Sequence, residues 1–123
     1  MIALAIPLAL IGLHLVLFRG GESYCWWNPS IDTQFTSQYS EKVFDSITPG
    51  MTQSNVVALL GEPLFKQPIP QGHYTFLNAE TTEEWRFTDD GKCSWADWAW
   101  LGRYVYFNGT GAVTETTKVI HYD

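Results

Sequence analysis

The sequence predicts an α+β protein. An N-terminal transmembrane helix is followed by a small α-α-β-β-β domain, with two helices packed on a three-stranded antiparallel sheet. Three observations carry this expectation. Residues Met1 to Phe18 contain no formally charged side chain. Residues 31–60 place apolar side chains at helical spacing in two stretches, parted by Thr48-Pro49-Gly50. Residues 84–122 hold three extended patterns, parted by Asp89-Asp90-Gly91 and by Asn108-Gly109-Thr110-Gly111. At 123 residues and 14.0 kDa the chain has room for a single domain.

The first segment reads MIALAIPLALIGLHLVLF, interrupted by Pro7, Gly12 and His14. As a helix it would span about 27 Å, just short of a hydrocarbon core of about 30 Å. A signal peptide would show a basic leading region and a small-x-small cleavage site. No Lys or Arg precedes the run, and Arg19-Gly20-Gly21-Glu22-Ser23-Tyr24 is a poor cleavage site. A lipoprotein needs small residues directly before its cysteine, whereas Cys25 follows Glu22-Ser23-Tyr24. Tyr24, Trp26 and Trp27 follow the apolar run, and such rings concentrate at membrane–water interfaces. The expected layout is a transmembrane helix (an uncleaved signal anchor) at 1–19, a linker at 20–30 and a domain at 31–123. A cleaved signal is the alternative. His14, inside the run, is either a functional intramembrane group or a neutral histidine facing a neighbour.

Composition narrows the function. Seven Lys+Arg stand against 13 Asp+Glu, for a net charge of -6. Nucleic-acid binding needs clustered cations, so that class is set aside. Hydrophobic residues at 46% exclude a disordered chain. Orientation signals conflict. Arg19 favours a cytoplasmic domain under the positive-inside rule. An acidic domain with two cysteines suits the periplasm, where Cys25 and Cys93 would be candidates for one disulfide. The expected location is the bacterial inner membrane, single-pass, with a periplasmic domain.

Within the domain, Ile31, Phe35, Tyr39, Val43 and Ile47 recur every four residues and predict a first helix, capped by Ser30. Thr48-Pro49-Gly50 ends it. Thr52 is an N-cap for a second helix with a buried stripe of Val56, Leu59 and Leu60, and Gly61 with Pro63 stops it. Residues 64–82 read as irregular, with some extension around Tyr74-Thr75-Phe76. Glu84 to Thr88 alternates as a first strand. Tyr104 to Phe107 and Ala112 to Tyr122 are the second and third strands, joined by a hairpin turn needing positive φ.

The stretch Ile47-Thr48-Pro49-Gly50-Met51-Thr52, continuing through Val56, Leu59-Leu60-Gly61 and Pro63, resembles the helix motif of the BamE (SmpA/OmlA) family of bacterial envelope proteins. Trp85-Arg86-Phe87 and the Phe107…Gly111-Ala112-Val113 ending agree with that family, so the resemblance covers about residues 43–123. It implies a small α-α-β-β-β domain acting by protein–protein contact, without an active site. Family members of the outer-membrane assembly type are usually lipoproteins. Here an apolar helix replaces the lipobox, which points to a membrane-anchored accessory or scaffold subunit. An outer-membrane biogenesis factor of BamE type is the alternative, and a secreted inhibitor or small binding module is a third.

Candidate sites are few. Glu80, Glu83, Glu84, Asp89 and Asp90 could do acid–base work or bind calcium, but read as a solvated rim. His73 and His121 have no nucleophile-plus-base spacing and read as surface or satisfied histidines. No catalytic residue, metal site or cofactor is expected. Trp95, Trp98 and Trp100 crowd one short loop, and Trp is enriched at interface hot spots, so these three are the expected protein interface. Tyr24, Trp26 and Trp27 are the expected membrane interface. The expected partners are integral proteins of a larger complex and the lipid bilayer.

Overall fold

A computed structural model describes residues 7–13, 23–70, 77–91 and 93–122. They form strand β1 (Thr33–Phe35), helix α1 (Glu41–Phe44), helix α2 (Gln53–Leu60), and strands β2 (Phe65–Pro68), β3 (Thr81–Arg86), β4 (Thr88–Asp90), β5 (Trp100–Asn108) and β6 (Val113–His121). The α+β class holds. The sheet is larger than expected, with four antiparallel strands in the order β2-β3-β5-β6 and a separate antiparallel pair β1-β4.

The expected helix over 31–47 is not one element. Thr33, Gln34 and Phe35 pair with Asp90, Asp89 and Thr88, and only Glu41–Phe44 is helical. The spacing itself contains the reason. A step of four residues overshoots the helical turn by about 40°, so five such positions wander about 160° around a helix. Phe35, Tyr39 and Phe44 still pack together, with ring centroids 4.8 and 5.9 Å apart, but from a strand, a turn and a helix. Ser30 lies in a turn, and Ser40 precedes α1 without a side-chain cap.

Helix α2 follows the sequence signals more closely. The Asn55 amide donates to Thr52 Oγ1 at 3.2 Å, and the Thr52 amide donates to Asn55 Oδ1 at 3.1 Å. This reciprocal capping satisfies two amides that no helical carbonyl can reach. Gly61 closes the other end with φ 78°. Val56 and Leu60, four apart, are fully buried, whereas Leu59 is 42% exposed. Leu59 therefore leaves the expected stripe. It lies about 100° around the helix from Leu60, and the half-buried Val57 takes the position beside Val56.

The stretch read as irregular contains β2, which pairs with β3 from Phe65↔Arg86 to Pro68↔Glu83. Pro68 is tolerated because β2 is an edge strand. The expected strand Glu84 to Thr88 breaks at Phe87 into β3 and β4, and the Asp89-Asp90 half of the expected turn belongs to β4. The break lets the chain leave the large sheet for β1 while Phe87 stays fully buried. Tyr74-Thr75-Phe76 lies outside the described residues.

The β5–β6 hairpin turns as its sequence requires. Gly111 N–H donates to the Asn108 carbonyl at 3.0 Å with Gly111 at φ 78°, and the Asn108 side chain accepts from the Thr110 and Ala112 amides. A side chain at that φ would press Cβ against the backbone, so glycine belongs there.

Alternation along β5 divides the interior in two. Val105 and Phe107 face the helices with Phe44, Ile47, Val56, Leu60, Trp85, Phe87 and Val113. Tyr104 and Tyr106 face the other way, under Ile69, Leu77 and Val119.

The expected transmembrane helix falls mostly outside the described residues. Residues 7–13 are helical, and Leu8, Leu10, Ile11 and Leu13 are all exposed. Among the described residues no helix is long and apolar enough to cross a membrane. His14 and His73 lie outside the described residues.

Candidate interaction site

The two groups of aromatic residues singled out in the sequence meet in space. Ser23 bridges to Trp98, and the Ala99 amide donates to the Ser23 carbonyl at 3.2 Å. This brings the strap after residue 22 against the loop that precedes β5. Trp27 meets Trp98 edge-on at 5.8 Å between centroids, Trp95 meets Trp98 at 5.4 Å, and Trp26 meets Trp27 at 5.5 Å. Trp98 is the buried base of the cluster. Trp26, Trp27 and Trp95 are 76%, 61% and 62% exposed, with Tyr24 also exposed beside them in sequence. Trp100 belongs elsewhere, buried and stacked on His121 at 4.1 Å.

Asp32 ties this arrangement together, and the sequence reading missed it. Its side chain is 2% exposed. Oδ1 accepts from the Cys93 amide at 2.8 Å and Oδ2 from the Trp98 amide at 3.1 Å. Its backbone carbonyl accepts from the Gly91 amide at 2.9 Å. Thr33 adds a bond from the Leu101 amide to its hydroxyl at 2.9 Å. Asp and Thr beside the Asn28-Pro29-Ser30 turn do signal side chains bonding to backbone. They cannot signal a partner more than sixty positions away. The candidate bridge between Cys25 and Cys93 is not formed. Both thiols are free, and the two segments are joined through Asp32 instead.

The carboxylates of Asp90 and Asp97 approach that of Asp32, with all three oxygens within 4.8 Å of one another. Asp32 has both oxygens committed to backbone amides, so the trio is a backbone staple with an acidic rim. Elsewhere the acids are more deeply used than a solvated rim implies. Glu84 is buried, accepting from Gln67 Nε2 at 2.7 Å beside Arg86 at 3.7 Å. Glu83 accepts from Gln53 and Trp85 at 2.6 and 2.8 Å. His121 is satisfied by the Tyr104 hydroxyl at 2.6 Å.

The strongest charge cluster joins α1 to β5 and β6. Arg103, buried, donates from Nε and Nη2 to Glu41 at 3.1–3.2 Å. Lys118 reaches Glu41 at 2.8 Å and also pairs with Asp45, and the Tyr39 hydroxyl donates to Glu41. Partial burial alone would raise the Glu41 pKa. The hydrogen bonds from Arg103, Lys118 and Tyr39 outweigh it and lower the value from 4.5 to about 2. Burial, then the bond to Glu41, pushes the Tyr39 phenol well above its ordinary value. An open groove of about 610 Å³ runs beside this cluster, lined by Phe35, Tyr39, Leu101 and several hydroxyls.

A carboxylate depressed by folding stabilises the fold above its unfolded pKa and loses that contribution as pH falls through its folded pKa. Glu41 should therefore give up its contribution between about pH 4.5 and about pH 2. Glu41→Gln should lower stability at neutral pH by about 1 kcal/mol, because the carboxylate is nearly half exposed and solvent screens its ion pairs. It should also flatten the fall in melting temperature across that acid range. Parallel melting curves for both proteins from pH 5 to pH 2 would reject Glu41 as the acid-labile tie.

Among the described residues the polar groups above are bonded to one another. Among the described residues the large exposed apolar groups include the aromatic cluster and the leucines of residues 7–13.

Comparison with known proteins gives one result. Residues 38–85 match the family model described as the outer membrane protein assembly factor BamE domain. No curated protein and no solved structure matches. The matched stretch takes in α1, α2, β2 and most of β3. The aromatic cluster is built from segments on either side of it. This chain therefore contains, at residues 38–85, a BamE domain.

Proposed function

We propose that this protein is a non-catalytic assembly factor of the bacterial envelope, working by contact in outer-membrane protein assembly. The BamE domain at residues 38–85 carries this reading. The geometry supports contact over chemistry. Asp32, Glu41, Glu84 and His121 are held in structural bonds, while Trp26, Trp27 and Trp95 present a rigid apolar surface. Such a surface suits docking, because a Trp ring brings a large contact area with few rotamers to freeze.

A second reading, a scaffold subunit anchored in the inner membrane with a periplasmic domain, is favoured by the uncharged run Met1 to Phe18. One experiment separates the two. The full-length protein is purified from envelopes in mild detergent and its companions are identified. Outer-membrane assembly components at fixed stoichiometry are the expected result. An inner-membrane complex in their place would favour the second reading, and a monomer free of companions would overturn both.

A further inference from the structure

We infer that the partner of the exposed tryptophan cluster is the lipid bilayer itself, with Trp95 a third interfacial contact beside Trp26 and Trp27. This rests on the reading of the protein as an envelope contact factor and names what one of its surfaces touches.

The first support is the company the cluster keeps in the chain. Leu8, Leu10, Ile11 and Leu13 stand exposed all round the helical segment 7–13, and no described residue of the domain buries them. Nine residues separate Leu13 from Ser23, a tether of ten steps and at most about 36 Å. Two uncovered apolar surfaces on so short a tether can share one membrane face. An apolar run without formal charge needs a hydrocarbon environment, and rings close after its end lie at headgroup depth.

The second support is chemical. Trp26, Trp27, Trp95 and Tyr24 are aromatic side chains with one polar tip each, the kind that suits the boundary between acyl chains and water. The third is geometric. Trp95 comes from a loop remote in sequence, yet it is fixed against Trp98, whose amide is held by Asp32. A ring on a flexible strap would touch a membrane without orienting anything. Rings from two segments, stapled together, define a plane and so set the tilt of the domain.

Charge decides which lipid. The chain carries net charge -6, and Asp90 and Asp97 lie next to the staple. Anionic headgroups are disfavoured, and the contact should be made with zwitterionic lipid and be insensitive to salt.

The test places the full-length protein, labelled with 5-fluorotryptophan, in nanodiscs of phosphatidylcholine. Single Trp→Phe variants at Trp26, Trp27, Trp95 and Trp85 assign the ¹⁹F resonances. A lipid carrying a headgroup nitroxide should broaden the resonances of Trp26, Trp27 and Trp95 in low and high salt alike. The Trp85 resonance, buried in the core, should stay sharp and reports that the fold is intact. A Trp95 resonance that stays sharp with the nitroxide lipid, and broadens with a water-soluble paramagnet, would overturn the inference. So would a Trp95 resonance that is shielded only when a co-purified protein is added, since the surface would then be a protein interface. The two readings fail separately. Trp95 in water with assembly partners present removes only the lipid contact, and Trp95 in lipid without partners removes only the assembly role.

Discussion

Leu60→Ala should cost roughly 2–5 kcal/mol of folding stability, while Leu59→Ala, its neighbour, should cost less than about 1 kcal/mol. Leu60 is fully buried on the inner face of α2, against a cluster that includes Phe44, Phe87 and Phe107. Truncating it removes buried methyl groups and leaves a cavity that the sheet cannot collapse to fill. Leu59 is 42% exposed, and much of its apolar surface already meets water. Chemical-denaturant melts of the two variants read the difference directly. Equal losses would mean that α2 is rotated from the orientation described, and with it the helical layer over the sheet.

Asp32→Ala should cost about 2–4 kcal/mol and disorganise the aromatic cluster. Both carboxylate oxygens accept from backbone amides, those of Cys93 and Trp98. Removing them strands two donors, and a buried donor without an acceptor costs about 1–3 kcal/mol. The Trp98 amide is the more buried of the two and accounts for the larger share. Asp32→Asn keeps one acceptor oxygen but turns an NH₂ toward the other amide, so it should fall between wild type and alanine. The same staple requires a small neighbour. A Cβ on Gly91 would stand 2.8 Å from the Asp32 carbonyl carbon and 2.9 Å from Oδ1, too close for any side chain. Thermal melts combined with tryptophan fluorescence give the readout. A variant with an unchanged melting temperature and unchanged emission would show that the strap is held by other contacts.

The corrections at β1 and β4 share one origin. Once Thr33–Phe35 is assigned to a helix, β4 loses the strand it pairs with among the described residues, and Asp89-Asp90 is left to be read as a turn. Five apolar positions in steps of four resemble a helical face closely enough to mislead. Short apolar stretches do not distinguish a strand from a helix by period alone. The Trp95–Trp100 loop divided for a similar reason. Three rings close in sequence are sent to an exposed surface, a buried base and the outer sheet face, according to what each meets across the fold.

Features that depend on a few neighbouring residues are legible along the chain. The Thr52 cap, the Gly61 stop, the Asn108–Gly111 hairpin and the family resemblance over Ile47–Pro63 all belong to this kind. Each is a local choice of backbone conformation that the side chains at hand satisfy. The β1–β4 pair, the edge strand β2, the grip of Asp32 on residues 93 and 98, and the joining of Trp26 and Trp27 to Trp95 through Trp98 arise from folding at long range. Those features join segments up to some seventy positions apart. Their energies come from pairing and burial between distant groups, and composition and period carry no record of which distant group will be the partner.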